Sequence, residues 1–551
     1  MHIYKAKQQI SIPTDVNLTE LLHSSATTPA VPDNHVIAVD VTEEREVTLG
    51  QLRERAGRLA CGLQTAFQPR DQSRWAVILP TSVTFTEVVH AILWQGGVFC
   101  PINYALQAPE VASTFGTIKP DYAVVFAPEI PKVVKAVELV KELDRSFKSP
   151  QIIVTGGTVE GYAQLNDYLA AKTLPIPHYA DTRKRAASIH LSSGTTGKSK
   201  GVGLTHFNFV ANCYQMHAHD PALWSSTNSS MSMTPMAHIA NTTKPHFVGP
   251  WTGMKHVMLD KPTPDSIFRT IEKYKVNDTM LMPGVTPMLI SGEASKKYDL
   301  SSIRYLVGQG NFKQEVLDGL RAAGPWNFAF LYGMTEAAPY AAWLVSGRHC
   351  PAGQIGFLLP GVEARLCDDN GKDVAIGNEG EMWLRGPNVT KGYVDNPEAN
   401  AKAFKDGDWY NTGDVCKISA EGYLSVVGRT KELFKSSGFQ VSPQELEGYL
   451  AHLPEVQEIS VGPTYDRGKR TDVATGFVVL KPNLESKQEK LRALESIQKS
   501  LDGKVSGYKK LRGGVFEVTS FPKNATGKIL RPRIAENKTG LVYLPDAKAK
   551  L

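Results

Sequence analysis

The stretch Leu191-Ser192-Ser193-Gly194-Thr195-Thr196-Gly197-Lys198-Ser199-Lys200-Gly201 constrains this chain more than any other. It gathers small hydroxyl residues, glycines and two lysines directly after Ala187-Ser188-Ile189-His190-Leu191, an apolar run that predicts a buried strand. Such a loop suits phosphate: glycines let backbone N–H groups approach oxygens, hydroxyls donate further bonds, and lysine neutralises charge. A surface linker of like composition seldom follows a core strand directly. The loop is not a Walker A motif, which needs a glycine five residues before Gly197, where Ser192 stands; a P-loop kinase or motor is therefore disfavoured.

The chain has 551 residues, 42% hydrophobic and 21% charged, proportions that support a sizeable core. At about 150 residues per domain the length admits three or four domains, or one large α/β body with a smaller companion. The 61 basic residues against 55 acidic ones are scattered, which argues against nucleic acid as a partner. The short clusters Arg183-Lys184-Arg185 and Tyr508-Lys509-Lys510-Leu511-Arg512 read as solvated faces or contacts to a phosphate-bearing small molecule.

Six cysteines without a C-x-x-C pair read as buried free thiols. The N-terminus leads into no apolar signal segment. No window reaches the ~18 apolar residues of a membrane span, and Val88 to Ile102, broken by His90 and Gln95, reads as core. Asn17-Leu18-Thr19 and Asn388-Val389-Thr390 are then chance sequons. The last residues, Ala549-Lys550-Leu551, stand one small-for-small change from the S-K-L address read by the peroxisomal import receptor; peroxisomal import is expected, with the cytoplasm as the alternative. Oligomeric state is not readable.

Strands over 73–79 and 122–126 with a helix over 84–94 between them set an α/β alternation that runs through the first four hundred residues. The register changes near Gly422 to Arg429, which places a domain boundary between residues 428 and 429. Beyond it Ser442-Pro443-Gln444-Glu445 predicts a capping box, Leu446, Leu450 and Leu453 the apolar stripe of the following helix, and 456–461, 473–480 and 514–519 three strands, with a charged helix over 487–501.

The loop at residues 191–201 resembles the signature of the acyl-adenylate-forming (AMP-binding) superfamily. The likeness continues in order through Pro235-Met236-Ala237-His238-Ile239, Tyr332-Gly333-Met334-Thr335-Glu336, Glu381 to Gly386, Trp409-Tyr410-Asn411-Thr412-Gly413-Asp414, Gly428-Arg429-Thr430-Lys431-Glu432 and Asn524-Ala525-Thr526-Gly527-Lys528. Lys435 to Val441 and Tyr508 to Gly514 look most like the 4-coumarate-CoA ligase group of acyl-CoA synthetases. The resemblance implies a large multi-sheet α/β N-terminal domain, residues 1–428, and a small mobile α+β C-terminal lid, residues 429–551. It also implies ATP, Mg²⁺ and coenzyme A as reaction partners for a small carboxylic acid, aromatic or short to medium in chain.

On that resemblance Ser192, Ser193, Gly194, Thr195, Thr196, Gly197, Lys198, Gln309, Gly310, Tyr332, Gly333, Met334, Thr335, Asp414 and Arg429 bind the nucleotide, with Tyr332 at the adenine and Asp414 on both ribose hydroxyls. Glu336, with Thr196 as a weaker ligand, holds Mg²⁺. Lys528 reaches the α-phosphate or the carboxylate in adenylation, Thr335 contacts phosphate, Lys435 and Gln440 serve after domain rotation about Lys431, and Ser437 and Gly438 meet CoA. Adenylation with another acceptor, as in luciferase-like oxidation or carrier-protein loading, and a non-catalytic binding protein on the same fold are the alternatives.

His238, Ile239, Ala240, Lys244, Gly308, Gly333, Pro339 and Tyr340 are expected to line the acyl pocket, with His238 as its gate. Here the chain departs from its relatives: Ala240 replaces an aromatic, Lys244 a small polar residue, and Val307-Gly308-Gln309-Gly310-Asn311 a Ser-Gly-Ala-Ala-Pro run. Lys244 or Tyr340 either meets a polar far end of the acid or, in the case of Lys244, snorkels to water. His217 and His219 stand two apart on a predicted helix, so they share no face from which to ligate one metal.

Overall fold

The computed structural model describes residues 2–24, 31–192, 200–282, 285–309, 314–349, 351–430, 432–436, 439–466, 471–502, 504–505, 507–523, 529–531, 534 and 538–544, with the backbone alone at Gln309, Lys435, Phe439 and Gln440. Among the described residues six sheets carry the fold. In the seven-stranded one, Val98–Pro101, Arg74–Ile78, Tyr122–Phe126 and Gln151–Thr155 run parallel. Helices Val83–Trp94, Ala108–Ile118 and Ile130–Leu143 supply the crossovers that parallel pairing requires. Strand Arg74–Ile78 is buried on both faces, with Trp75 stacked on Tyr122 at 4.1 Å, which is why it reads as an apolar run without alternation.

Ala186–Ser192 ends this sheet against an antiparallel neighbour, Lys200–Thr205, in register Ser192↔Lys200. Residues 193–199, the phosphate loop of the sequence, therefore join two antiparallel strands, a setting unlike the strand-to-helix turn of a P-loop.

A five-stranded sheet, with Tyr305–Gln309 and Asn327–Gly333 parallel and Tyr340–Trp343 folded back antiparallel, delivers the Tyr332 and Tyr340 regions to one edge. A six-stranded antiparallel sheet carries Trp409–Ile418 beside Leu424–Arg429. That last strand ends at Arg429, and Phe434 opens a separate core built with Leu446, Leu450, Val461, Val478 and Leu494.

Two local expectations are corrected here. Ser442 does cap helix Pro443–Leu450 by accepting from Glu445 N at 3.3 Å, but no reciprocal bond closes the box: the Glu445 carboxylate takes Lys509 Nζ at 2.8 and 2.7 Å instead. The helix also stops at Leu450, so Leu453 lies beyond the stripe. Cys61, Cys100, Cys213, Cys367 and Cys416 are buried free thiols, and Cys350 lies outside the described residues. Among the described residues no helix is long and apolar enough to cross a membrane.

Helix Leu49–Phe67 packs so closely on the Leu165–Tyr168 turn that a Cβ at Gly62 would stand 1.7 Å from the Tyr168 carbonyl oxygen. Backbone, unlike a side-chain end, cannot step aside. Gly62→Ala is expected to cost about 3 kcal/mol despite the better helix propensity of alanine. A urea midpoint at or above that of the parent would contradict this contact.

A set of buried histidines ties helix Val83–Trp94 to the helical segment after His238. His23 Nε2 meets His90 Nδ1 at 3.3 Å, His90 Nε2 the His246 carbonyl at 2.8 Å, and His246 Nδ1 Thr86 Oγ1 at 2.9 Å. His190 Nε2 lies 3.0 Å from Thr242 Oγ1, and His206 Nδ1 accepts from Leu18 N at 3.2 Å. Burial pushes His90 down to about 4 and His190 and His206 down to about 3.

Candidate active site

A cavity of about 1730 Å³ opens where these sheets meet. Ser192, His238, Ile239, Ala240, Tyr332, Gly333, Met334, Thr335, Glu336, Pro339, Tyr340, Asp414 and Arg429 line it, and Glu445, Tyr449 and Lys509 close it from the C-terminal side. The structure thus gathers residues that lie more than two hundred positions apart in the chain.

The nucleotide half rests on sheet register. Asp414 and Arg429 are direct partners in the antiparallel ladder. Arg429 Nε reaches Asp414 Oδ1 at 3.0 Å while Tyr332 donates its hydroxyl to Oδ2 at 2.6 Å. Asp414 is 3% exposed, so one cation and one neutral donor fix a carboxylate that would otherwise be costly to bury. Burial and the Asp414 charge raise the Tyr332 phenol well above its ordinary value, which keeps it a donor. Burial opposes the Arg429 guanidinium, but Asp414, Tyr332, Glu432 and Glu336 together outweigh it and raise that group above its ordinary value. Gly413, at φ +68°, turns the chain just before the carboxylate, and its carbonyl accepts from Thr430 N at 2.9 Å.

The loop Tyr332 to Glu336 is held from behind. Met334 N donates to the Pro339 carbonyl at 2.8 Å, and a Cβ at Gly333 would stand 2.2 Å from that same oxygen, so only glycine fits. Glu336 is 7% exposed and accepts from the Tyr393 hydroxyl at 2.9 Å, which in turn lies 3.2 Å from the Tyr410 hydroxyl. The expected adenine contact at Tyr332 therefore coexists with a hydrogen bond to the carboxylate expected to hold ribose.

The acyl half lies beyond. His238 precedes helix Ile239–Thr243 and lines the cavity, exposed to its open space. Tyr340 packs edge-on against Trp343 at 5.2 Å, and its carbonyl accepts from the Asn212 and Asn388 amides at 2.9 and 2.8 Å. Lys244 and Gly308, both expected in this pocket, are not on the wall of the open cavity. Lys244 sits one helical turn behind Ala240 and is 9% exposed.

Sequence reasoning did not place Tyr393 or Asn388 at the site, and gave Glu381 no role although it opens the Glu381 to Gly386 motif. The apparent sequon residue Asn388 is fully buried, and its amide also donates to the Ala337 carbonyl at 2.8 Å, clamping the turn under Glu336. Glu381 accepts from Asn411 Nδ2 at 2.8 Å and Thr430 Oγ1 at 3.1 Å, linking the end of the large domain to its own sheet. The Gly392-Tyr393 pair beside the recognised Arg385-Gly386 motif was the available signal. His217 stacks edge-on against Trp251, and His219 Nε2 meets the Trp343 carbonyl at 3.0 Å. Ser193, Gly194, Thr195, Thr196, Gly197, Lys198, Gly310, Lys431, Ser437, Gly438, Lys528 and Ala549-Lys550-Leu551 lie outside the described residues, as do the side chains of Gln309, Lys435 and Gln440.

Comparison with known proteins adds an independent finding. The family model for the AMP-binding enzyme matches residues 26–394, and that for the AMP-binding enzyme C-terminal domain matches 445–528. A probable 4-coumarate–CoA ligase of Dictyostelium discoideum is 32% identical over 526 residues, covering 92% of each chain. A phenylacetyl-CoA ligase of Aspergillus niger is 28% identical, covering 90% of this chain and 92% of its own. Among solved structures, an anthranilate CoA ligase in complex with anthranoyl-AMP superposes with a TM-score of 0.82 at 24% identity, over 95% of this chain and 98% of the other. At that identity the likeness speaks for the fold.

Proposed function

Because the chain belongs to the AMP-binding enzyme family of adenylate-forming acid–thiol ligases, we propose that this cavity activates a small, plausibly aromatic carboxylic acid with ATP and passes it to coenzyme A. The carrying observation is the buried Tyr332–Asp414–Arg429 cluster on the same cavity as His238 and Tyr340. One end of that cavity reads a ribose and the other receives an acyl group.

A carboxylate is a poor acyl donor because its leaving group would be oxide. In the first half-reaction a carboxylate oxygen attacks the α-phosphorus of ATP and the bond to pyrophosphate breaks. In the second the CoA thiol attacks the acyl carbon, AMP leaves and the thiol proton is released. Asp414 accepts the ribose hydroxyls, Arg429 holds Asp414 and the ribose edge, and Tyr332 lines the adenine. Thr335 and the loop 192–198 with Lys198 contact phosphate. His238 gates the acyl pocket lined by Ile239, Ala240, Pro339 and Tyr340.

Glu336 fits Mg²⁺: a buried carboxylate on the cavity is a hard oxygen donor, and Mg²⁺ needs only one or two protein carboxylates beside phosphates and water. When bound with ATP it would neutralise phosphate charge, with Thr196 as a second ligand. Division into residues 1–428 and a mobile 429–551, with rotation about Lys431 bringing Lys435, Gln440, Ser437 and Gly438 to CoA, belongs to the same proposal, as does peroxisomal import through Ala549-Lys550-Leu551.

Pyrophosphate release over a panel of carboxylic acids, with and without CoA, tests the reading. Release with matching CoA consumption supports it, and release without any CoA use would redirect it to another acceptor. Lys528→Ala is expected to suppress adenylate formation about 100-fold more than thioester formation from supplied acyl-adenylate, since only the first step develops charge beside phosphate. Equal losses in the two half-reactions would remove that lysine from adenylation.

A further inference from the structure

One short segment holds Glu336 twice. The Glu336 backbone carbonyl accepts from Thr390 N at 2.8 Å, and its carboxylate Oε1 accepts from the Tyr393 hydroxyl at 2.9 Å. The segment is itself fixed from both sides. On the strand Lys200–Thr205, Gly203 N donates to the Gly392 carbonyl at 3.1 Å and the Gly201 carbonyl accepts from Val394 N at 2.8 Å. On the other side the Asn400 amide takes the Tyr393 N–H at 2.6 Å and donates to the Tyr393 carbonyl at 2.9 Å. The Lys200 ammonium lies 4.6 Å over the Tyr393 ring. A phenol pinned at its backbone and covered on its face has little freedom to swing away from Glu336.

The protons follow from the partners. A carboxylate only accepts, so Tyr393 gives its single hydroxyl hydrogen to Glu336, and its oxygen takes the hydrogen of the Tyr410 hydroxyl 3.2 Å away. The chain from Tyr410 through Tyr393 thus ends on one carboxylate oxygen. The other, Oε2, takes no hydrogen bond among the described residues, and it is not sealed into the interior. Glu336, Tyr393 and Tyr410 all stand on the cavity wall.

We propose that Tyr393 is a positioning residue that leaves Glu336 a single oxygen for a cation, and so selects Mg²⁺ over Ca²⁺ as the partner of ATP. Ca²⁺ gathers roughly six to eight oxygens and readily takes a carboxylate through both of its own, whereas Mg²⁺ demands a near-octahedral shell and keeps several waters beside one or two carboxylates. With Oε1 committed to the phenol, Glu336 cannot chelate through both oxygens without breaking that bond. The cost falls on Ca²⁺ and spares Mg²⁺. The inference rests on the ligase reading above, with Glu336 as its metal ligand, and deepens it.

The test is calorimetric titration with MgATP and with CaATP, the metal in excess over nucleotide and no carboxylic acid present, so that binding is read without turnover. The parent is expected to bind MgATP the more tightly. Tyr393→Phe should lower that preference, the ratio of the CaATP Kd to the MgATP Kd, about 10-fold, the lower end of what losing an outer partner of a metal ligand costs. Tyr410→Phe leaves the bond from Tyr393 to Glu336 in place and should keep the ratio within about threefold of the parent, since that bond loses only its polarising neighbour. A parent that binds the two complexes alike, a ratio unmoved by Tyr393→Phe, or an equal fall in both variants overturns the proposal while leaving the ligase reading intact. The parent comparison needs no variant to fold, and failure of ATP to bind with either metal would overturn both readings.

Discussion

Asp414→Asn is expected to lower kcat/KM for ATP in pyrophosphate release by two to three orders of magnitude, on the order of 3–4 kcal/mol for two charge-assisted hydrogen bonds reduced to neutral ones. The side chain is 3% exposed and fixed by Arg429 and Tyr332, so asparagine keeps its shape but leaves the guanidinium without its anion. The loss has a chemical signature. The parent should discriminate strongly against 2′-deoxy-ATP and 3′-deoxy-ATP, and in Asp414→Asn that discrimination should shrink, because the acceptor that read those hydroxyls has lost its charge. A variant that is slow yet rejects both deoxynucleotides as firmly as the parent would show that Asp414 acts through the fold and not on the ribose.

The second large effect is on stability. His90, His190 and His206 are held neutral at about 4, 3 and 3, by burial first and then, for His190 and His206, by the nearby His238 and Arg185 charges. In the unfolded chain each titrates near 6.5. Above that value neither state is protonated and the full stability is present. Between about 6.5 and 4 the unfolded chain binds protons that the folded one refuses, so stability falls with falling pH by about 1.4 kcal/mol per pH unit for each histidine.

From pH 7.5 to 5.0 the three together are worth about 6 kcal/mol, against the 5–15 kcal/mol that holds a typical domain together. Urea melts at the two pH values measure this directly. His206→Asn keeps an acceptor for Leu18 N and removes one titrating group, so its acid limb should be shallower by about one proton. Parallel profiles for parent and variant would mean that other groups set the acid limit.

Much of the architecture was legible because its signals are local. The strand Tyr122–Phe126 matches its apolar run residue for residue, and helix Val83–Trp94 begins one residue from its expected start, because burial on both faces and period-3.6 spacing are written in adjacent positions. The residues expected at the nucleotide came instead from ordered motifs that resemble the adenylate-forming superfamily, and of these the structure brings Tyr332, Asp414 and Arg429 together.

What could not be read depends on register. Nothing near Asp414 says that Arg429 lies opposite, nothing near Glu336 points to Tyr393, and Glu445 looked like a capping residue until Lys509, 64 positions away, was found on its carboxylate. Lys244 was ambiguous in the same way. A lone lysine in an apolar run says nothing of how deeply its stem is buried, and here the residue is 9% exposed.

The ladder that pairs Asp414 with Arg429 is also the last piece of the large domain before the chain leaves it, and Thr430, the next residue, is held by the Gly413 carbonyl and by Glu381. The strand that fixes the buried carboxylate and the strand from which the chain passes on to the core opened by Phe434 are thus neighbours in one ladder, so displacing either one strains the hydrogen bonds of the other.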